Sequence, residues 1–315
     1  MTFAFSGGSI GRDISHVEDT EGFDACLRRA DALVLPMWHG KPLMRTPKSL
    51  CWLSPAHRML RHRSCIVYLG SAGAAPRFAA AIPDWQGAPA RKSEAGAMFE
   101  RGFQPHPLTP DMAGFVNLRQ VMAGLCAEDS ELAVTARGLL GWHSSHKFCS
   151  ACAQPTDILS GGWRRYCRGC GNESFCPLSP VVIMLVIHED SLLLGRSNHW
   201  PGKMHSLLAG FIEPGETVEA AIRRETFEET GIAVGDVRYV ASQPWPFPAS
   251  LMLGFLAHAR HRRLRIDHNE LASALWVSRR RMQAILQRED ADIHPPRTGS
   301  IANFLIRRWV AGKLS

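Results

Sequence analysis

The chain has 315 residues, of which 45% are hydrophobic and 21% charged, and it carries a net charge of +7 at pH 7. That balance describes an ordinary soluble globular protein with room for two domains and a small module besides. No apolar run approaches the ~20 residues that span a bilayer, and residues 1–6 lack the basic start and apolar core of a signal peptide, so a cytoplasmic, reducing location is expected.

Residues 1 to about 125 read as short strands and loops, with 64–69 the clearest strand. A helix is expected from Ser130 to about His146. Then come Cys149-x2-Cys152, fourteen residues, and Cys167-x2-Cys170. Two such knuckles supply four sulfurs and close a tetrahedron, the spacing of a zinc ribbon. Four thiolates leave no open coordination position, which makes the zinc structural. Disulfides are the weaker alternative: Cys26, Cys51, Cys65, Cys126 and Cys176 are unpatterned, and nothing else suggests secretion. Arg164, Arg165 and Arg168 around the second knuckle are too few to mark a nucleic-acid site.

A buried strand is expected over 181–186 and another over 191–194. Residues 210–232 carry the most information. Thr217 can cap a helix, no Pro or Gly interrupts it, and Gly231 suits its C-terminus. Glu225, Glu228 and Glu229 then converge on one face, and Val218, Ala221, Ile222 and Phe227 are expected to cover the core side. Carboxylates packed so closely repel one another unless cations sit between them. The usual work of such a cluster is hydrolysis of a phosphate ester or anhydride. A bare Glu-x-x-Glu-Glu could equally be a solvated face.

From Ser242 to Met252, prolines at 244, 246 and 248 fix φ and remove backbone donors, which rules out an ordinary central strand. The segment is expected to be stiff and extended. It presents Trp245 and Phe247, with Gln243 and Ser250 as polar handles, and suits stacking on a base. An aromatic–proline corner in the core is the alternative. A strand from Leu251 to about His258 and helices over 278–288 and 300–310 complete the order. Strands in both orientations with helices on the faces make an α/β/α sandwich. No internal repeat is evident. The basic runs 258–265 and 279–281 read as a solvated face or as a patch tracking an RNA backbone.

Gly210, Glu216, Arg224, Glu225, Glu228, Glu229, Gly231 and Ile232 occupy the fixed positions of the Nudix box. Only Thr226 departs, standing where a bulky aliphatic residue is usual, and a small stability cost is expected. The Ser-Gln-Pro-Trp-Pro-Phe-Pro-x-Ser-Leu-Met run resembles the hallmark of the NADH pyrophosphatase (NAD diphosphatase) branch of the Nudix hydrolases. The pieces at 118–120, 136–149, 267–271, 274–276 and 300–302 are similar to that family, whereas the likeness before about residue 115 is thin.

The resemblance implies an N-terminal α+β domain (1–146), a four-cysteine zinc ribbon (147–178) and a C-terminal Nudix α/β/α sandwich (179–315). It implies that Glu225, Glu228, Glu229 and Glu270 are catalytic and bind Mg²⁺ or Mn²⁺, beside one structural zinc per chain. Glu216 pairs with Arg224 to hold the loop on the helix. Gln243, Pro244, Trp245, Pro246, Phe247, Pro248, Ala249 and Ser250 line the dinucleotide, Arg119 and Ala302 contact substrate, and Phe211 stacks on a ring of it. The implied reaction is hydrolysis of NADH or NAD⁺ to AMP and nicotinamide mononucleotide, with removal of NAD caps from RNA 5′ ends also known in the family. A homodimer is implied. Where relatives run aromatic-Pro-Arg after the ribbon, this chain has Phe175-Cys176-Pro177-Leu178, and no role transfers to Cys176. The rival readings are hydrolysis of another nucleoside diphosphate derivative such as ADP-ribose, and a non-catalytic nucleotide- or RNA-binding module.

Overall fold

The computed structural model describes residues 3–314 apart from 6, 9, 90–101, 110, 111 and 201, so part of the strand-and-loop stretch expected before residue 125 lies outside the described residues. The chain forms two compact units. The first is Phe5–Pro177 with Pro246–Ala249; the second is Met1–Ala4, Leu178–Trp245 and Ser250–Ser315.

In the first unit, β1 (Leu33–Trp38), β2 (Lys41–Thr46), β3 (Ser49–Leu50), β4 (Cys65–Ala72), β5 (Ala75–Ala81), β6 (Phe103–Gln104) and β7 (Gly114–Val116) form one sheet. Its order is β4-β5-β1-β2-β7-β6, with β3 on β2. Only β1 and β5 run parallel. Five of the six residues of β1 are buried, as expected of an apolar strand deep in a sheet. Among the described residues the α-helices of this unit are α1 (Thr20–Leu27), α2 (Leu118–Val121) and α3 (Ala127–Ser145). Trp38, Tyr68, Phe78 and Phe115 fill the core.

The ribbon belongs to this unit. Its strands β8 (Asp157–Leu159), β9 (Arg164–Tyr166) and β10 (Glu173–Phe175) pair antiparallel. Arg165 of β9 is buried without a carboxylate. Its guanidinium donates to Thr156 Oγ1 (2.7 Å), Thr156 O (2.9 Å) and His143 Nδ1 of α3 (3.0 Å). Burial pushes His143 down to about 4, so the ring is neutral. Its Nε2–H donates to Gly162 O (2.9 Å), which leaves Nδ1 free to accept from Arg165. These bonds satisfy the buried guanidinium and tie the ribbon to α3.

The second unit contains β11 (Ser179–His188), β12 (Ser191–Ser197), β13 (Leu208–Phe211), α4 (Val218–Thr230), β14 (Val234–Trp245), β15 (Ser250–Ala259), β16 (Leu271–Ser278), α5 (Arg279–Gln287) and α6 (Ile301–Val310). The sheet order is β14-β15-β11-β12-β16, with β13 on β11. Alternation along β11 sends its residues to opposite faces. Val182, Met184 and Val186 meet Ala221 and Ile222 of α4. Ile183, Leu185 and Ile187 meet Met282 and Ile285 of α5 and Leu305 and Trp309 of α6. The α/β/α sandwich read from the sequence is thus the observed fold. β14 is an edge strand, which is why it tolerates Pro244, paired with Leu251. The proline-rich run is part strand, to Trp245, and part loop, Pro246–Ala249.

The sequence shows no repeat, but the two sheets repeat one topology. β4-β5-β1-β2-β7 and β14-β15-β11-β12-β16 share their order and directions, each with a single parallel pair, β1/β5 or β11/β15. The segment after the second strand of each sheet crosses in the same way. Leu50 pairs with Met44 of β2 and Leu53 with Val34 of β1; Ser206 pairs with Gly195 of β12 and Leu208 with Met184 of β11.

Candidate active site and zinc ribbon

Helix α4 is capped as its sequence dictates. Thr217 Oγ1 accepts from Ala220 N (3.2 Å), and Gly231 ends the helix at φ 71°, where glycine is favoured. Its buried residues are Ala221, Ile222, Thr226, Glu229 and Thr230. Phe227 departs from expectation: it is 47% exposed, beneath the Arg265 guanidinium. At 3.6 residues per turn it lies about 100° round from buried Thr226 and points away from the core. The unusual Thr226 is accommodated because its Oγ1 donates to Ile222 O (2.7 Å), so no buried hydroxyl is left unpaired.

Arg224 organises the loop before the helix. Its Nε and Nη2 grip both oxygens of Glu216 (2.9 Å each), and Nη2 also donates to Phe211 O (2.9 Å). Nη1 donates to Glu225 (2.9 Å) and Glu228 (3.1 Å). Charge-assisted bidentate pairing of this kind fixes both partners. It raises the affinity of Arg224 for its proton and lowers the Glu216 pKa. A Cβ at Gly210 would stand 1.8 Å from Glu225 Cδ, so any larger residue there would push the Glu225 carboxylate aside.

Carboxylate oxygens of Glu225, Glu229 and Glu270 lie within 4.8 Å of one another. Glu228 stands outside this trio, its side chain 57% exposed and bound to Arg224. Glu229 is buried, with one oxygen lacking any partner. Burial first, then the neighbouring glutamates, push its pKa up to about 8; burial also raises that of Glu225. Glu270 reaches the trio through a turn pinned to the end of α4. Asp267 N donates to Glu229 O (3.0 Å), and Arg265 N to Thr230 O (2.7 Å). Asp267 Oδ1 accepts from Asn269 N and Nδ2 (2.9 Å each), and Asn198 Nδ2 donates to His268 O and Asn269 O. Asn198 was not singled out from the sequence, and no local signal marks it, because its partners lie 70 residues away.

The aromatic-proline residues are placed unequally. Phe211 is 60% exposed, and Trp245 is half-buried. Gln243 is fully buried, and its amide is committed within the protein. Nε2 donates to Ala4 O (2.6 Å) and Gly299 O (2.9 Å), and Oε1 accepts from Ile301 N (2.7 Å). Ser250 and Ala302 are buried too, and Pro244 and Pro248 are exposed. In the first unit the Phe247 ring has the Arg119 guanidinium 3.6 Å from its centroid and that of Arg137 at 4.7 Å. Arg137 also donates to Pro246 O (2.5 Å) and Gly40 O (2.7 Å), so it fixes the Pro246–Ala249 loop. Nothing local in the sequence marks Arg137, because the loop it holds lies 109 residues away.

In the ribbon, the sulfurs of Cys149, Cys152, Cys167 and Cys170 lie within 4.8 Å of one another. Cys149 is 3.6 Å from Cys170 and Cys152 is 3.4 Å from Cys167. A tetrahedral zinc about 2.3 Å from each sulfur would set them about 3.8 Å apart, so the site fits zinc. The backbone amides of Ala151 and Cys152 draw the Cys149 thiol pKa down, whereas the neighbouring thiols push that of Cys152 up.

The sequence matches three family models in succession. They are the NADH pyrophosphatase-like rudimentary NUDIX domain (31–142), the NADH pyrophosphatase zinc ribbon domain (144–175) and the NUDIX domain (177–297). The first accords with the repeated sheet topology. The human NAD-capped RNA hydrolase NUDT12 is 43% identical over 64% of this chain and 45% of its own length. The mitochondrial NAD(P)H pyrophosphatase NUDT13 of Mus musculus is 38% identical over 62% of this chain and 59% of its own. The NAD-capped RNA hydrolase NudC of Mycobacterium bovis is 39% identical over 64% of this chain and 67% of its own. The chain spans about half the length of the first of these. It belongs to the Nudix hydrolases. Within them it falls in the branch that joins a rudimentary NUDIX domain, an NADH pyrophosphatase zinc ribbon and a NUDIX domain. No helix among the described residues is long and apolar enough to cross a membrane.

Proposed function

We propose that the chain hydrolyses the pyrophosphate bond of NADH or NAD⁺ to give AMP and the nicotinamide mononucleotide, and that it cleaves the same bond where NAD caps an RNA 5′ end. The observation that carries the reading is the Glu225–Glu229–Glu270 trio, with one buried Glu229 oxygen unpartnered. Three carboxylates without a soft donor fit Mg²⁺ or Mn²⁺, which take oxygen ligands. When bound, such ions neutralise phosphate charge and lower the pKa of a coordinated water. The names of the relatives support the dinucleotide.

The chain's own groups do the positioning. Arg224 steers Glu225 and holds Glu228 at the rim, from where Glu228 can join the ligand set. Glu229 or Glu270 accepts the proton of the attacking water. The exposed ring of Phe211 and the half-buried ring of Trp245 offer faces to the base and the nicotinamide. The family resemblance also assigns substrate binding to Arg119 and to residues 246–249, a loop that Arg137 holds. Gln243 acts by holding the backbone of Ala4, Gly299 and Ile301, and Ser250 and Ala302 are buried. The reading includes a homodimer and a reducing, cytoplasmic location.

The test is incubation with NADH, NAD⁺ and ADP-ribose, with and without Mg²⁺ or Mn²⁺, followed by separation of the products. The expected result is AMP and reduced nicotinamide mononucleotide from NADH only when the cation is present. No AMP from NADH or NAD⁺ with either cation would overturn the reading.

A further inference from the structure

The loop between β15 and β16 carries Arg260, His261, Arg262, Arg263 and Arg265 within six residues, and all five are exposed. The loop is rigidly tied to the element that bears the carboxylates. Arg260 N donates to Ala233 O (2.9 Å), just past α4, and Arg265 N to Thr230 O (2.7 Å) at its last turn. Trp276 Nε1 donates to Arg262 O (3.0 Å) in the middle of the loop. Two guanidiniums sit over rings: Arg262 is 5.7 Å from the Trp276 centroid, and Arg265 is 5.5 Å from that of the exposed Phe227. Arg223 of α4 extends the patch. It donates to Gly235 O (3.2 Å), and Arg260 Nε stands 3.7 Å from where Gly235 would carry a Cβ. Among the described residues, none of Arg260, Arg262, Arg263 and Arg265 lies within 4.0 Å of a carboxylate oxygen.

Un-neutralised guanidiniums held together on a pinned loop repel one another, and a polyanion relieves that repulsion. Rings interleaved with guanidiniums favour a nucleic-acid chain, whose bases stack on both. Leu264 packs into the α4 core and the Phe227 ring lies under the Arg265 guanidinium, so neither is free to enter a membrane surface. The loop also leads, five residues after Arg265, to Glu270 of the trio.

We propose that this loop is the binding surface for the body of an RNA chain whose 5′ end is hydrolysed at the carboxylate trio, with backbone phosphates on Arg260, Arg262 and Arg263. The link to hydrolysis rests on the proposed function, whereas the RNA binding does not. The test compares the unmodified protein with the double variant Arg260→Glu, Arg263→Glu. Turnover is measured on NADH and on a short NAD-capped single-stranded RNA, and binding of the same RNA without its cap is measured by fluorescence anisotropy. The expected result is unchanged kcat/KM on NADH, with KM for capped RNA raised about tenfold or more. The salt slope of log Kd for uncapped RNA should fall by about 1.4, at about 0.7 per lost phosphate contact. Unchanged RNA affinity, an equal loss on NADH and capped RNA, or binding of the unmodified protein to phosphatidylserine vesicles but not to RNA would each overturn the proposal. If NADH is not cleaved at all while RNA binding weakens as stated, the surface stands and only the hydrolytic reading fails.

Discussion

The two sheets share strand order, strand directions and the crossing segment, yet among the described residues only the second carries a carboxylate trio that could hold a metal ion. Between β13 and β14 the second sheet inserts α4, with Glu225, Glu228 and Glu229 and the Arg224–Glu216 clamp. At the corresponding place, between β3 and β4, the first sheet has a short 3-10 helix, Arg58–His62, whose Arg58, Arg61 and His62 could not hold a divalent cation by carboxylate. The difference shows that the topology is a scaffold and that the chemistry lies in what is inserted into it. In the first unit, Arg119 and Arg137 hold Phe247 and the loop around it.

The comparison breaks most readily at Glu229. Glu229→Gln, nearly isosteric, should lower turnover of NADH by about 10³-fold or more while circular dichroism stays unchanged. Arg61→Ala, at the equivalent place in the first sheet, should leave turnover where it was. Next in size is Gly210→Ala. Its Cβ would displace the Glu225 carboxylate, and a misplacement of about 1 Å is expected to cost about 100-fold in kcat with little change in KM. Cys167→Ser, at a fully buried sulfur, should release zinc, measured by elemental analysis, and lower Tm by several degrees. Smaller again is Trp245→Ala, which should raise KM a few-fold with kcat nearly constant; unchanged KM on both NADH and ADP-ribose would remove its stacking role.

The last of these effects concerns the cation-free protein. Glu229 keeps its proton to about pH 8 when folded but releases it near 4.5 when unfolded. The folded state therefore holds an extra proton between these values. The stability this confers is complete below 4.5 and is lost as pH rises through 8. Tm should fall over that window in chelator that spares zinc, recover when Mn²⁺ is added, and vary less in Glu229→Gln. An equal slope in the variant would show that Glu229 is not the titrating group.

The carboxylate helix was legible because its chemistry depends on fixed local spacing: Glu216, Arg224 and the three glutamates lie within one loop and one helix. The ribbon was legible for the same reason. What stayed hidden is non-local. The sheet repeat depends on pairing between strands whose sequences differ, Leu-Val-Leu-Pro-Met-Trp in β1 against Ser-Pro-Val-Val-Ile-Met in β11. Gln243 looks like a polar handle in sequence, yet its partners Ala4, Gly299 and Ile301 come from both ends of the chain and bury it. Phe227 was placed in the core on hydrophobicity alone, although its angle on the helix puts it outside. Spacing puts Glu228 on the same helix face as Glu225 and Glu229, and only the folded chain shows that Arg224 pairs with it at the rim.

We propose that Glu225, Glu229 and Glu270 together hold a divalent cation, for which the described residues of the first sheet offer no carboxylate cluster. Calorimetric titration of Mn²⁺ into the zinc-loaded protein tests it most directly. Binding to the unmodified chain and to Arg61→Ala with equal affinity, weakened at least about tenfold in Glu229→Gln and in Glu270→Gln, is the result expected. Undiminished Mn²⁺ affinity in both glutamine variants would contradict it.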